Sequence, residues 1–252
     1  MIASLPMYDW PEMQGANDRL WYRIRDALRA EGIAAPDTLT RGEDLWDGWH
    51  NPRLLLGQTC GFPFRTALHG VVTLVGTPDY ALPGAPAAYY YSQLVAGTDS
   101  AGDWTAFIDQ RLAINGFDSQ SGWAAPQNHA ARIGRRFERI VVSGAHRDSA
   151  RMVAEGDADV AAIDAVTWRL LTTYHPEIVA KLKILAQTEP TPGLPLITVL
   201  GRDPQPLARA FAAAVAAMSA EDRAVTGLRG LVQVPAQAYL AVATPAPSIA
   251  AR

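Results

Sequence analysis

The sequence lacks the features that mark several large classes of protein. It contains one cysteine, Cys60, among 252 residues, which excludes an internal disulfide and a multi-cysteine metal site. Its five histidines form no HExxH pair, and GxGxxG, GxxxxGK[ST] and GxSxG are all absent. The longest apolar run, near residues 210–218, is far shorter than the ~20 residues needed to cross a bilayer. We therefore expect no metal, no cofactor and no membrane-spanning segment.

The charge balance argues against a nucleic-acid partner. Lysine and arginine number 22 and aspartate and glutamate 25, so the formal net charge is −3. A nucleic-acid-binding surface needs a basic excess, which this composition does not supply. The hydrophobic fraction of 49% is that of an ordinary globular protein. The length allows one large domain or two lobes of roughly 100–150 residues each.

Apolar segments typical of buried strands alternate along the chain with amphipathic segments typical of helices. This alternation predicts an α/β fold with mostly parallel sheets. Two long segments, 89–96 and 185–195, are the best places for the chain to cross between two lobes. Lobe one would then be discontinuous, formed by residues 1–88 and 194–252, with lobe two, residues 89–193, inserted between its parts.

Three predicted strand-to-helix junctions in lobe two carry polar side chains. Each has an ordinary interpretation: a helix N-cap for the first and third junctions, and a surface histidine at a helix end for the second. For each junction taken alone, that interpretation is favoured. Because the carboxyl ends of parallel strands meet at one edge of a sheet, however, all three should converge on one ligand site. The residues concerned are Ser119, Gln120 and Ser121 in the first junction, His146 in the second and Asp164 in the third.

Lobe one offers similar turns after its first two predicted strands. Tyr8 follows the first strand, and Gln58 and Thr59 follow the second. The same location at strand ends makes these residues candidates for ligand contact. Tyr8 can equally be a core or rim aromatic.

Three stretches of the chain resemble the phosphate, phosphite and phosphonate group of ABC-transporter substrate-binding proteins. They are LLLGQTCG (54–61), GFDSQSG (116–122) and SGAHRDSARMVAEGDADVAAID (143–164). The resemblance implies a type II periplasmic binding protein fold, with two α/β lobes, a ligand cleft between them and two crossover segments. It also implies that Ser119, Gln120, Ser121 and His146 bind an oxyanion faced by Asp164, with Tyr8 and Gln58 or Thr59 as contacts from lobe one.

The function implied by this resemblance is capture of a small phosphorus oxyanion for an ABC transporter. Its partners would be the oxyanion and the transporter permease, and we expect a monomer without catalytic activity. The alternatives are a cytoplasmic enzyme on the same fold, similar to those of menaquinone or thiamine-pyrimidine synthesis, and a ligand-sensing subunit. The family implies a periplasmic location, whereas residues 1–8 enter a predicted strand without a leader, which would indicate the cytoplasm if Met1 is native.

Overall fold

The computed structural model describes residues 1–247 and divides into two compact units. Unit 1 comprises Met1–Tyr89 and Pro192–Leu240, and unit 2 comprises Tyr90–Thr191 together with residues 241–247. The chain passes between the units after Tyr89 and after Thr191.

A third passage, after Leu240, is not foreseen by the sequence. The predicted lobe one included residues 194–252, but residues 241–247 lie in unit 2. They are held there by the carbonyl of Ala243, which accepts a hydrogen bond from Nδ2 of Asn128 at 2.9 Å. Residues 248–252 lie outside the described residues.

Twelve strands are present among the described residues, and most are short. They are β1 (Ile2–Ser4), β2 (Leu54–Gln58), β3 (Val72–Asp79), β4 (Tyr89–Tyr90), β5 (Ser92–Gly97), β6 (Leu112–Ile114), β7 (Ile140–Val142), β8 (Val160–Asp164), β9 (Leu182–Gln187), β10 (Thr191–Pro192), β11 (Leu196–Val199) and β12 (Gly230–Val232).

Ten α-helices accompany these strands within residues 1–247. They are α1 (Pro11–Ala30), α2 (Leu45–His50), α3 (Gly61–Pro63), α4 (Ala125–Ala131), α5 (His146–Glu155), α6 (Ala165–Tyr174), α7 (Pro176–Val179), α8 (Gln205–Ala216), α9 (Ala220–Thr226) and α10 (Ala236–Leu240). Wider π-helical turns at Phe64–Leu68 and Gln120–Ala124 extend α3 and precede α4, and short 3-10 turns lie at Pro6–Tyr8 and Trp104–Phe107.

Unit 1 is built on a five-stranded sheet in the order β1-β2-β11-β3-β12. One face packs against α1 and α8, through buried side chains such as Leu20, Trp21 and Phe211. The other face packs against a second cluster that includes Trp49, Phe64 and Tyr239. Removing this apolar surface from water on both faces is the main stabilising contribution to the unit.

Unit 2 is built on a second five-stranded sheet in the order β7-β6-β8-β5-β9. Strands β7, β6 and β8 run parallel, while β5 pairs antiparallel with both β8 and β9. In unit 1, β11 likewise runs antiparallel to β2 and β3. The expectation of mostly parallel sheets is therefore wrong. The sheets are mixed because β5 and β11, each entered after the chain passes between units, run against their neighbours.

Candidate functional site

The three polar junctions of unit 2 follow three adjacent parallel strands. Strand β6 lies between β7 and β8 and pairs in parallel with both. The turns after all three strands therefore leave the sheet at the same edge, where open α/β sheets bind ligands. Residues 119–121, His146 and Asp164 come together at this edge, as their location after parallel strands predicts.

Ser119 and Ser121 begin the helical segment that continues through α4. The hydroxyl of Ser119 accepts a hydrogen bond from the backbone N–H of Gly122 at 2.9 Å, so Ser119 is the N-cap of this segment. Its hydroxyl oxygen lies 3.5 Å from that of Ser121. Ser119 therefore caps the helix and also lies at the candidate site. The positive end of the helix dipole at this N-terminus favours an anion.

His146 contacts both the turn formed by residues 119–121, called the serine turn below, and Asp164 at the third junction. Its Nε2 atom lies 2.6 Å from the hydroxyl oxygen of Ser121 and 3.5 Å from Oδ2 of Asp164. The side chains of His146 and Asp164 are 12% and 2% exposed, so this contact is shielded from solvent.

Burial lowers the pKa of His146 below its ordinary value, although the carboxylate of Asp164 and the carbonyl of Ala162 act in the opposite direction. Desolvation penalises the charged imidazolium and here outweighs both partners. The imidazole is therefore neutral at neutral pH. When Nε2 carries the hydrogen, it donates to Oγ of Ser121 and leaves the serine O–H for an anion.

Asp164 uses its two carboxylate oxygens differently. Oδ1 accepts hydrogen bonds from the backbone N–H groups of Val166 and Thr167 at 3.0 and 2.9 Å and caps helix α6. Oδ2 faces His146. The ordinary interpretation as a cap is correct for one oxygen, and the other is directed to the site.

Two residues that support the serine turn are not identified by the sequence. The hydroxyl of Ser92 donates to the carbonyl of Ser121 at 2.9 Å. Asn115 packs so closely against Gly122 that a Cβ atom added at position 122 would lie only 1.9 Å from Oδ1 of Asn115. A hydroxyl within the apolar stretch YYYSQLVA is a signal that could have indicated Ser92. For Asn115 the sequence contains no comparable signal, because its contact with Gly122 is visible only in the structure.

Ser143, also a possible hydroxyl donor to the ligand, has a structural role instead. Its Oγ atom lies 2.7 Å from Oγ of Ser149 and 3.0 Å from the carbonyl oxygens of Ile114 and Ala145. These contacts fix the turn before α5, whose N-cap, Ala145, has no side-chain cap.

The candidate residues of unit 1 have different surroundings. Tyr8 packs edge-to-face against Tyr80, with ring centroids 5.4 Å apart, and both line a small cavity of about 20 Å³ together with Gln58. Such a volume holds about one water molecule. Thr59 is fully buried, and its Oγ1 atom has no hydrogen-bond partner among residues 1–247. Tyr8 and Gln58 are thus brought together at this cavity.

The arrangement in unit 2 is suited to binding rather than to nucleophilic catalysis. In a serine hydrolase the histidine contacts the serine through one ring nitrogen and the aspartate through the other. Here both Ser121 and Asp164 approach Nε2. The imidazole therefore cannot take the proton of Ser121 at one nitrogen while Asp164 orients it through the other. Among the described residues, no group of histidine, cysteine, aspartate or glutamate side chains could hold a metal ion, and no helix is long and apolar enough to cross a membrane.

A family model described as the periplasmic substrate-binding protein of the ABC phosphonate transporter matches residues 68–236. This range includes the serine turn, His146 and Asp164. A comparison with curated protein sequences finds no match.

Solved structures with the same fold share little sequence with this chain. PhnD1 from Prochlorococcus marinus, in complex with methylphosphonate, is 12% identical, covers 94% of both chains and has a TM-score of 0.72. A binding protein component of an ABC phosphonate transporter from Pseudomonas aeruginosa is 16% identical, with a TM-score of 0.59 over 89% of this chain and 77% of its own. A histidine kinase sensor domain is 14% identical, with a TM-score of 0.59 over 93% and 98%. The fold is therefore that of the periplasmic binding proteins, as the motifs predict.

Proposed function

The chain belongs to the periplasmic substrate-binding proteins of ABC phosphonate transporters, and from this premise we propose that it captures a small phosphorus oxyanion in unit 2. The ligand would be a phosphonate, phosphite or phosphate, held by Ser119, Gln120, Ser121, His146 and Asp164. The observation that carries the proposal is the buried contact of Nε2 of His146 with both Ser121 and Asp164 at the start of a helical segment.

The charges at the site favour a ligand that retains a proton. His146 is neutral, so it does not offset the negative charge of Asp164. Two negative charges 4 Å apart repel by about 4 kcal/mol at an effective dielectric constant near 20. A P–OH group removes this repulsion because it donates a charge-assisted hydrogen bond to the carboxylate. Sulfate carries no such proton near neutral pH, so the site should discriminate against it.

We propose Tyr8, Gln58 and Thr59 as ligand contacts from unit 1. Their support is their location at the ends of the parallel strands β1 and β2. The predicted position of the ligand between the two lobes stays a prediction. We further propose that the protein acts in the periplasm as a monomer and delivers its ligand to a transporter permease without chemical change. Turnover of a candidate metabolite that is lost in His146→Ala would contradict this last point.

A ligand panel tests the proposal directly. Phosphate, phosphite, methylphosphonate and sulfate are added separately, at equal concentration and pH, while the melting temperature and the tryptophan fluorescence are measured. We expect at least one phosphorus ligand to raise the melting temperature by mass action and sulfate to leave it unchanged. Equal stabilisation by sulfate would contradict the role of the ligand proton. No stabilisation by any of the four would contradict binding of a small oxyanion.

A further inference from the structure

Unit 2 contains a cavity that shares one residue, Gln120, with the proposed oxyanion site. Its volume is about 330 Å³, at the lower end of the range of roughly 300–1,000 Å³ for small-molecule sites. Its walls come from the serine turn, α4, the segment before β10 and the C-terminal segment. The lining residues are Gln120, Ala125, Asn128, His129, Arg132, Glu189, Pro190, Thr191, Val242 and Ala243.

His129 gives this cavity a polar wall. Both ring nitrogens are buried, and neither has a hydrogen-bond partner among the residues that the structure describes. The ring is held against Trp104, with centroids 4.5 Å apart. Burial and the nearby Arg132 lower the pKa of His129, so its imidazole is neutral and presents one donor and one acceptor. The residue as a whole is half-buried, and its two unpaired, buried ring nitrogens gain from a ligand that supplies a hydrogen bond.

Arg132 and Glu189 bring one charge of each sign to the cavity, where they form an ion pair with each other. Their side chains are 58% and 69% exposed, and ion pairs so exposed contribute little to stability. The guanidinium has N–H groups to spare for a carboxylate, and the carboxylate of Glu189 can accept from an ammonium group. The formal charge of the lining is zero, so a ligand with net charge of either sign gains no overall attraction.

We propose that this cavity binds a small zwitterion, a molecule with one ammonium and one carboxylate group and the size of a free amino acid. Its carboxylate pairs with Arg132, its ammonium group pairs with Glu189, and one of its polar groups reaches His129. The aliphatic walls at Ala125, Pro190 and Val242 leave room for a short apolar side chain. The contacts proposed for the zwitterion do not involve Gln120, the one residue that the cavity shares with the proposed oxyanion site, so this proposal does not depend on the oxyanion function.

The test uses free L-amino acids as probes, with binding to the full chain measured by calorimetric titration. We expect at least one amino acid to bind the wild type. His129→Phe keeps a ring against Trp104 but removes both nitrogens, and Arg132→Gln removes the positive charge from an exposed position. Each should weaken binding of that amino acid by about tenfold, the equivalent of roughly one hydrogen bond.

Arg135→Gln is the matched control, because Arg135 forms a similarly exposed ion pair with Asp109 elsewhere in unit 2. It should leave binding unchanged. If no amino acid binds the wild type, or if both cavity variants bind as tightly as Arg135→Gln, the proposal is wrong. Methylphosphonate titrated into the same variants should bind as it does to the wild type, so failure of this site and failure of the oxyanion site are distinguishable.

Discussion

Units 1 and 2 both have polar side chains after parallel strands, but the contacts among these side chains differ between the units. In unit 2 a hydroxyl, an imidazole and a carboxylate are linked by contacts of 2.6 and 3.5 Å at a helix N-terminus. In unit 1, Tyr8 and Gln58 line a cavity of about 20 Å³, and Thr59 is buried among its neighbours. Preorganised polar groups make binding more favourable, since no ordering cost remains. Chemical selectivity should therefore reside mainly in unit 2.

The largest expected effect comes from breaking the serine turn with Gly122→Ala. The added Cβ atom would lie 1.9 Å from Oδ1 of Asn115 and 3.3 Å from its backbone nitrogen, so the turn or Asn115 must move. We expect a loss of roughly 1–3 kcal/mol in the free energy of unfolding, together with loss of methylphosphonate binding. Denaturant unfolding and calorimetric titration measure the two effects.

Gly48→Ala in helix α2 of unit 1 is the control for this substitution. Apart from its chain neighbours and the backbone of its own helix, no heavy atom lies within 4 Å of the added Cβ atom, and alanine in a helix is favoured over glycine by roughly 0.5–1 kcal/mol. The two Gly→Ala variants should thus shift stability in opposite directions. A Gly122→Ala variant that is as stable as the wild type would show that the turn is not tightly packed.

Asp164→Asn should come next in size. Asparagine still caps α6, but it removes the charged acceptor for a P–OH group. We expect affinity for methylphosphonate to fall by roughly 10- to 100-fold, as for a hydrogen bond to a charged group, and discrimination against sulfate to narrow. Asp44→Asn is the matched control, since Asp44 caps α2 in unit 1 in the same way. Unchanged affinity in Asp164→Asn would leave Asp164 with the capping role alone.

The buried imidazole of His146 predicts how stability depends on pH. The pKa of His146 is lower in the folded state than its unfolded value of about 6.5. Just below pH 6.5, this histidine is therefore protonated in the unfolded chain but still neutral in the folded chain. Stability should therefore fall as pH decreases from about 6.5 towards the folded pKa, and show no contribution from this group above about 6.5.

His146→Gln should make this acid-side loss of stability shallower, as measured by denaturant unfolding at a series of pH values. Part of the slope should persist, because burial also lowers the pKa of His129. The double variant with His129→Phe should be shallower still. If the free energy of unfolding of His146→Gln depends on pH as it does in the wild type, the pKa of His146 is not lowered by folding.

The helices with clear end signals were predictable from the sequence. Helix α5 ends before Gly156, which adopts the left-handed conformation typical of glycine after a helix, and helix α6 begins after Asp164, whose side chain caps it. The convergence of the serine turn, His146 and Asp164 was also predictable, but from the arrangement of the strands. It depends on three consecutive parallel strands, and β6, β7 and β8 provide them.

The features that depend on tertiary contacts were not predictable. Strand β12 and helix α10 form from short segments with weak patterns, stabilised by pairing with β3 and by burial of Tyr239. The sequence also cannot distinguish two similar serines. Ser143 and Ser121 both follow strands, yet Ser143 binds within its own turn while Ser121 meets His146. Which hydroxyl remains for a ligand is decided by packing.

The smallest effect on stability is expected in unit 1, where Thr59→Val sharpens the comparison between the units. Valine has nearly the shape of threonine, and Oγ1 of Thr59 makes no hydrogen bond to residues 1–247, so stability should be unchanged or rise by up to about 1 kcal/mol. Thr77→Val is the control, because Oγ1 of Thr77 lies 2.5 Å from the hydroxyl of Tyr239 and its loss should destabilise the unit. If Thr59 contacts the ligand, as proposed, methylphosphonate affinity should fall about tenfold without any loss of stability. Full affinity in Thr59→Val would exclude its hydroxyl from the site and leave recognition to unit 2.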